Sequence, residues 1–422
     1  MAILFLCFAF SMLDRQILAI LGTPIKSDLE IGDFQFSLLL GPAFAVSYIL
    51  FGVPFGYLAD TWSRPKTIVI GLVTWMVATA ACGFAGSFAA LFVFRALVGA
   101  GEAALSPAAH AIIAENVPRE RLSLAVTVYN WGATLGIGLS MILGGLALDQ
   151  ITRAGGVGGV PFLDGLAPWQ IIFILMALPG LALAPLALML PEGARRKAGA
   201  SAAAEEPFGA FLRKRRWFLI CHFVGFGLSN LVVSSTLVWA PQYMERAFGL
   251  APSEVGLTFG IVAIACPIAG SFLVSMVIDW LFKRGMRDAH MRAYFWMLAI
   301  GGPFACAGFF IADPFYFWLG IGVIMTVMNS IFGVAVAGLQ ITTPTAFRAR
   351  LSGALVSFVN ITGAIIGPVL IGAIAEFVFR DESKLGAALG LVTTASIVIA
   401  LPMLWFGARF MRQAVDDQLG RV

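Results

Sequence analysis

Charge is what this sequence has least of. Only 12% of its 422 residues are Asp, Glu, Lys or Arg, against roughly 25% in a soluble domain. Hydrophobic residues make up 60% and the mean hydropathy is +0.92. This composition excludes an ordinary water-soluble protein. It also excludes a nucleic-acid partner, because the net charge of +4 is small and not gathered into a patch. Cysteine is scarce too. Cys7, Cys82, Cys221, Cys266 and Cys306 all fall inside apolar runs, with no CxxC and no His/Cys cluster. They read as small core residues rather than ligands or disulfide partners. No GxxxxGK[ST] segment occurs, which argues against direct use of ATP. G-x-S-x-G, H-E-x-x-H and paired metal ligands are also missing, so neither an enzyme nor a cofactor is expected.

What is present is a series of apolar runs. They cover about 2–24, 36–59, 67–86, 89–114, 122–148, 169–190, 217–244, 253–278, 292–312, 315–346, 352–378 and 386–410. A span needs roughly 20 apolar residues, so these predict twelve helices and leave no sizeable soluble domain. The first run lacks a basic leader and holds Asp14-Arg15 in its middle, so it reads as a span rather than a signal peptide. Glycine, at 46 residues, suits helices that pack closely in lipid.

Lys and Arg predict the orientation. With the amino terminus inside, 20 of the 27 fall in inside segments, five in outside loops, and Arg15 and Arg95 within spans. Both termini are therefore expected in the cytoplasm, in a cell (inner) membrane. The longest polar stretch, 191–216, reads as a linker between bundles at 1–190 and 217–410, with a tail at 411–422. The end of the linker, 207–216, mixes Phe208, Phe211 and Leu212 with four basic residues. It suits a short interfacial helix on an anionic leaflet or, equally, a plain stop-transfer flank.

The halves repeat. Arg119-Glu120-Arg121-Leu122-Ser123 matches Arg348-Ala349-Arg350-Leu351-Ser352, and Pro24 and Pro241 are each expected to close the first helix of their half. A repeat broken at the linker predicts an all-α fold of two pseudo-symmetric six-helix bundles, the build of a transporter. The segment Gly56-Tyr57-Leu58-Ala59-Asp60-Thr61-Trp62-Ser63-Arg64-Pro65-Lys66 lies between helices two and three. It resembles the loop signature of the major facilitator superfamily, with Gly56, Asp60 and Arg64 at the matching positions and Thr61 and Pro65 departing from it. The resemblance implies a gating latch in which Asp60, beside Arg64 and Lys66, pairs with a helix terminus of the other bundle. The alternative is an ordinary basic inside loop.

Four charges lie within spans: Asp14 and Arg15 in helix one, Arg95 and Glu102 in helix four. At roughly 2.5–3.5 kcal/mol each on insertion scales, they must pair or line water. Arg95 and Glu102 are seven residues apart, on one helix face. A proton-coupling site needs such a balance of acids and bases; the alternative is a static network that only fixes packing. Asp14-Arg15 together with Arg95-Ala96-Leu97-Val98-Gly99-Ala100-Gly101-Glu102-Ala103 resemble the spinster family, lysolipid and sphingolipid transporters of this superfamily. Related organic-anion symporters also carry Asp-Arg in helix one. The spinster resemblance implies proton handling by Asp14 and Glu102 with Arg95, and head-group contact by Arg15.

The repeat carries these four positions onto Leu231, Val232, Ile324 and Ile331, none of them charged. The nearby polar residues are mild: Ser229, Asn230, Asn329 and Asn360, of which the three asparagines are candidate substrate contacts. His222 is expected at the interface near the inner end of helix seven, and His110 near the inner end of helix four. Gly132-xxx-Gly136 and Gly363-xxx-Gly367 are expected to let helices approach. One half charged and one half greasy suits an amphiphile. The expectation is a monomeric, proton-coupled alternating-access transporter of an anionic or zwitterionic amphiphile, with protons, substrate and the bilayer as its partners. The rivals are a symporter of small organic anions and a non-transporting receptor or lipid-modifying enzyme.

Overall fold

The computed structural model describes residues 1–118, 121–156, 163–192, 207–311 and 313–419. Arg119, Glu120, most of the linker and the last tail residues lie outside them. Among the described residues there are twelve helices long and apolar enough to cross a membrane, and no strand. They run Ala2–Ile20, Asp33–Thr61, Arg64–Cys82, Phe88–Asn116, Leu124–Ala154, Pro168–Ala187, Phe208–Phe248, Pro252–Lys283, Ala289–Phe310, Pro314–Thr342, Ala346–Phe379 and Glu382–Gln418. These are helices one to twelve below. The chain forms two compact units: Met1–Lys197 with Val238–Ile264, and Ala198–Leu237 with Ala265–Val422. The later part of helix seven and the start of helix eight thus pack with the first unit.

In the first unit, local chemistry sets where helices stop and bend. Gly41-Pro42 interrupts helix two, because proline starts a helix well but breaks one from inside. Ser63, in an extended conformation, caps helix three through the backbone N–H of Lys66 at 3.4 Å. Pro65 falls in the first turn of that helix, where its missing N–H costs nothing. Helix four bends at Ala103 and Ala104, directly after Glu102. Just before the bend, a side chain at Gly99 would strike the Phe44 backbone of helix two, and one at Gly101 the backbone of helix three. These glycines let helix four sit deep enough to bury its charges. Gly132 and Gly136 of helix five likewise lie against the Phe5 and Ala9 carbonyls of helix one, the close contact their spacing predicts.

In the second unit, helix ten breaks across 327–330, and helix eleven carries two π-helical turns, Ile361–Ile366 and Ile374–Phe379. Gly363 and Gly367 face Asn230 and Ser235 of helix seven. Helix seven departs from expectation at both ends. Its 41 residues span about 60 Å at 1.5 Å per residue, so 208–216 extends it rather than forming a separate interfacial helix. That extension is held by packing on its own unit: Phe208 and Phe211 against Phe347 at 5.1 and 5.4 Å, and Arg215 on Asp417 at 2.7 Å. Pro241 does not close helix seven, which continues to Phe248, whereas Pro24 sits in a short helix, Gly22–Leu29, beyond the end of helix one.

Candidate functional site

The four charges within spans meet in the first unit. Arg95 is fully buried and pairs with Asp14, its Nη1 lying 3.9 Å from Oδ2. It also donates to the backbone carbonyls of Asp14 and Arg15, at 3.4 and 3.5 Å. Arg15 Nη2 donates to Glu102 Oε1 at 2.8 Å. The pairing therefore crosses between helices one and four, and Arg95 and Glu102, though on one helix face, bind different partners. Ser11, one turn before Asp14, donates to the same Glu102 oxygen, and Thr79 of helix three donates to Asp14 Oδ1 at 3.0 Å. The Phe44 ring lies under both guanidiniums, 4.1 Å from Arg15 and 5.9 Å from Arg95, with Tyr48 5.3 Å from Arg15. Such cation–π contacts suit a cation stripped of water. Tyr48 in turn donates to Ser106 at 3.2 Å, beyond the bend.

Exposure separates the four. Asp14, Arg95 and Glu102 are at 1% or less, while the Arg15 side chain is 26% exposed. Glu102 Oε2 is buried with no partner. The arrangement thus has one reachable cation held by one buried carboxylate with a free oxygen, beside a second pair sealed from solvent. Ser11, Phe44, Tyr48 and Thr79 escape sequence reasoning. Phe44 and Tyr48 share a helix face at a spacing of four, but nothing in the sequence marks Thr79.

The second unit does not gather its asparagines in one environment. Asn230 is buried and donates to the Val359 carbonyl at 2.8 Å, Asn329 is half-buried in the break of helix ten, and Asn360 is exposed where helix eleven turns π-helical. His222 is not interfacial: it is fully buried, with Nε2 donating to the Ala335 carbonyl at 2.9 Å and Phe226 4.8 Å away. The aromatic residues around it, rather than the basic flank before it, decide its place. His110 is exposed, with a ring nitrogen on the Ser106 carbonyl.

In the loop signature, Arg64 is the buried member. It grips Glu115 of helix four with both terminal nitrogens and reaches the Glu192 carbonyl at 3.4 Å, while Ser63 donates to the Glu192 carboxylate at 2.8 Å. Arg64 thereby joins the end of helix four to the segment that follows helix six. Asp60 and Lys66 are exposed, the latter over Trp62 at 5.4 Å, and a side chain at Gly56 would meet open space. At the opposite end of this unit lies a charge cluster that loop counting misses. Asp33, 1% exposed, accepts from Lys26 at 2.6 Å and from both terminal nitrogens of Arg246, at 3.0 and 2.8 Å. Lys26 and Arg246 count as ordinary loop residues in the sequence, whereas here they tie the end of helix seven to the start of helix two. The cysteines are free, with Cys7, Cys82 and Cys221 buried and Cys266 and Cys306 half-buried.

The model of the Major Facilitator Superfamily matches residues 4–371. An MFS-type efflux pump of Mycolicibacterium smegmatis is 24% identical over 417 residues, covering 96% of this chain and 91% of that protein. Protein spinster of Drosophila melanogaster is 24% identical over 411 residues, covering 92% of this chain but 64% of its own length. The crystal structure of a bacterial homologue of the human lysosomal transporter Spinster, inward-facing and unoccupied, has a TM-score of 0.77 at 20% identity, covering 99% of this chain and 97% of that one.

Proposed function

The chain belongs to the Major Facilitator Superfamily, and on that premise we propose that it is a proton-coupled transporter of an anionic or zwitterionic amphiphile, of the lysophospholipid or sphingolipid type, working by alternating access. Its family and fold are those of transporters rather than enzymes. The observation that carries the proposal is the sharing of Arg15 between a buried carboxylate and a reachable surface.

A proton taken up at the free oxygen of Glu102 removes the charge that holds Arg15. The guanidinium then offers its donors to a phosphate or carboxylate head, a planar two-bond grip that lysine does not reproduce. Release of the head returns Arg15 to Glu102, which gives up the proton. Asp14, sealed with Arg95 and Thr79, keeps helices one, three and four in register through the exchange and serves as the second proton-handling acid. The second unit has no charge at the equivalent positions, and Leu231, Val232, Ile324 and Ile331 are all buried. This lack of charge supports a substrate with an apolar tail rather than a hydroxylated ring. The similarity to protein spinster supports the same class. Exposed Asp60 would latch the Arg64 end, and the bias of Lys and Arg supports a cytoplasmic side for that end and for both termini, with the protein acting as a monomer in the cell membrane.

Proteoliposomes test this with radiolabelled lysophospholipids under an imposed pH gradient. Gradient-driven flux is expected, lost in Glu102→Gln while binding persists. Binding should tighten about fourfold per added methylene, following roughly 0.8 kcal/mol for each one buried. Arg15→Lys should weaken it about tenfold for the whole series. Affinity that is flat with chain length, together with competition by a hydrophilic monocarboxylate, would replace the amphiphile by a small organic anion.

A further inference from the structure

Helix nine begins directly after Asp288, and helix twelve packs antiparallel along it, so the start of one lies beside the end of the other. Asp288 is fully buried and serves two guanidiniums: Arg292 one turn on, at 2.9 Å, and Arg412 across on helix twelve, at 3.1 Å. One carboxylate for two cations leaves positive charge over. Arg409, exposed and one turn beyond Trp405, adds a third cation. The excess is not consumed internally. The Arg412 side chain is half exposed, and that of Arg292 is 31% exposed. A guanidinium carries five N–H donors, so both forks have bonds left to give.

Aromatic rings flank this charge on the outer face. Arg292 lies over Trp405 at 5.8 Å, and Trp405 meets Trp296 edge-on at 6.2 Å. Both tryptophans are exposed, at 37% and 52%. Beyond them, exposed Ile300 and Phe304 continue along helix nine and Val398 along helix twelve. Cations, then tryptophans, then bare aliphatic surface is the order of chemistry met on going from head groups into hydrocarbon. We propose that the junction of helices nine and twelve binds an anionic phospholipid of the bilayer, its phosphate on Arg292, Arg409 and Arg412 and its chains along the aliphatic stripe past Trp296 and Trp405. The bound lipid neutralises the charge that Asp288 leaves over and fastens the two helix ends together. This site lies within the second unit and is independent of the transported substrate.

Native mass spectrometry of the full-length protein, offered equal amounts of phosphatidylglycerol and phosphatidylcholine, reads the preference directly. Wild type is expected to retain phosphatidylglycerol at least tenfold over phosphatidylcholine. Each charge removed should weaken the preference about fivefold. Arg409→Gln leaves both bonds to Asp288 in place and tests this without disturbing the fold; Arg292→Gln with Arg412→Gln should abolish the preference. Arg213→Gln with Arg216→Gln, on helix seven of the same unit, should leave it within about twofold. Millimolar inorganic phosphate should not displace the lipid, because it has no chains. The proposal is overturned if wild type shows no preference, if the control pair reduces it as much as Arg409→Gln, or if free phosphate displaces the lipid.

Discussion

Helix four and helix ten occupy the same place in the repeat, and both break near the middle. In helix four the break follows Glu102, and the freed space seats a buried carboxylate bonded to Ser11 and Arg15. In helix ten it spans 327–330, where the chain tightens into a 3₁₀ turn and Ser330 donates to its own Val327 carbonyl at 2.7 Å. Within a membrane, freed backbone groups must be satisfied by protein. The second unit satisfies them locally and leaves the break neutral. The first unit uses the break to bring a charge beside helix one, and then has to supply partners from helices one, two and three. A broken helix is therefore not itself a site; the neighbours that answer its charge make it one.

This contrast can be broken most severely by giving the second unit a charge. Ile324, fully buried, is the counterpart of Arg95. Ile324→Arg places a guanidinium at a fully buried position on a helix that carries no acidic residue, a cost of several kcal/mol. Loss of the monodisperse peak in size-exclusion chromatography is expected. The converse removes the answer in the first unit. Arg95→Leu strands Asp14 and should cost about 3–5 kcal/mol of stability in detergent, whereas Arg95→Leu with Asp14→Leu should recover most of it. If the double variant is no better than the single one, the pair is not what the burial depends on.

The glycine pairs sharpen the contrast on a smaller scale. At Gly136 a methyl group would strike the backbone of Ala9, which cannot move without shifting helix one. At Gly363 it would meet the Asn230 amide and the Ser234 hydroxyl, side-chain ends that can shift at the cost of the Asn230 bond to the Val359 carbonyl rather than of a whole helix. Gly136→Ala should cost about 1–3 kcal/mol and Gly363→Ala clearly less, compared by thermal unfolding under one set of conditions. The smallest effect is expected from His222→Phe, which forfeits a single bond to the Ala335 carbonyl, about 1 kcal/mol. An equal loss from both glycine variants would show that the two units are packed with the same tightness after all.

Residue order and composition carry the parts of this protein that depend on solvent. Apolar runs long enough for lipid predict twelve spans because hydrocarbon offers a backbone no other partner. Paired glycines at a spacing of four predict where helices touch, since only their absent side chains permit it. The four charges within spans stand out because each is expensive alone. Their pairing is another matter. Helix periodicity puts Arg95 and Glu102 on one face, but only the packing of helix one against helix four decides that Arg95 meets Asp14 and Arg15 meets Glu102. The same holds for Asp33 with Arg246, which are 213 residues apart, and for His222, whose burial comes from rings on its own helix and a carbonyl on helix ten. A sequence states which groups must find partners; which partners they find depends on distances across helices that no local spacing encodes.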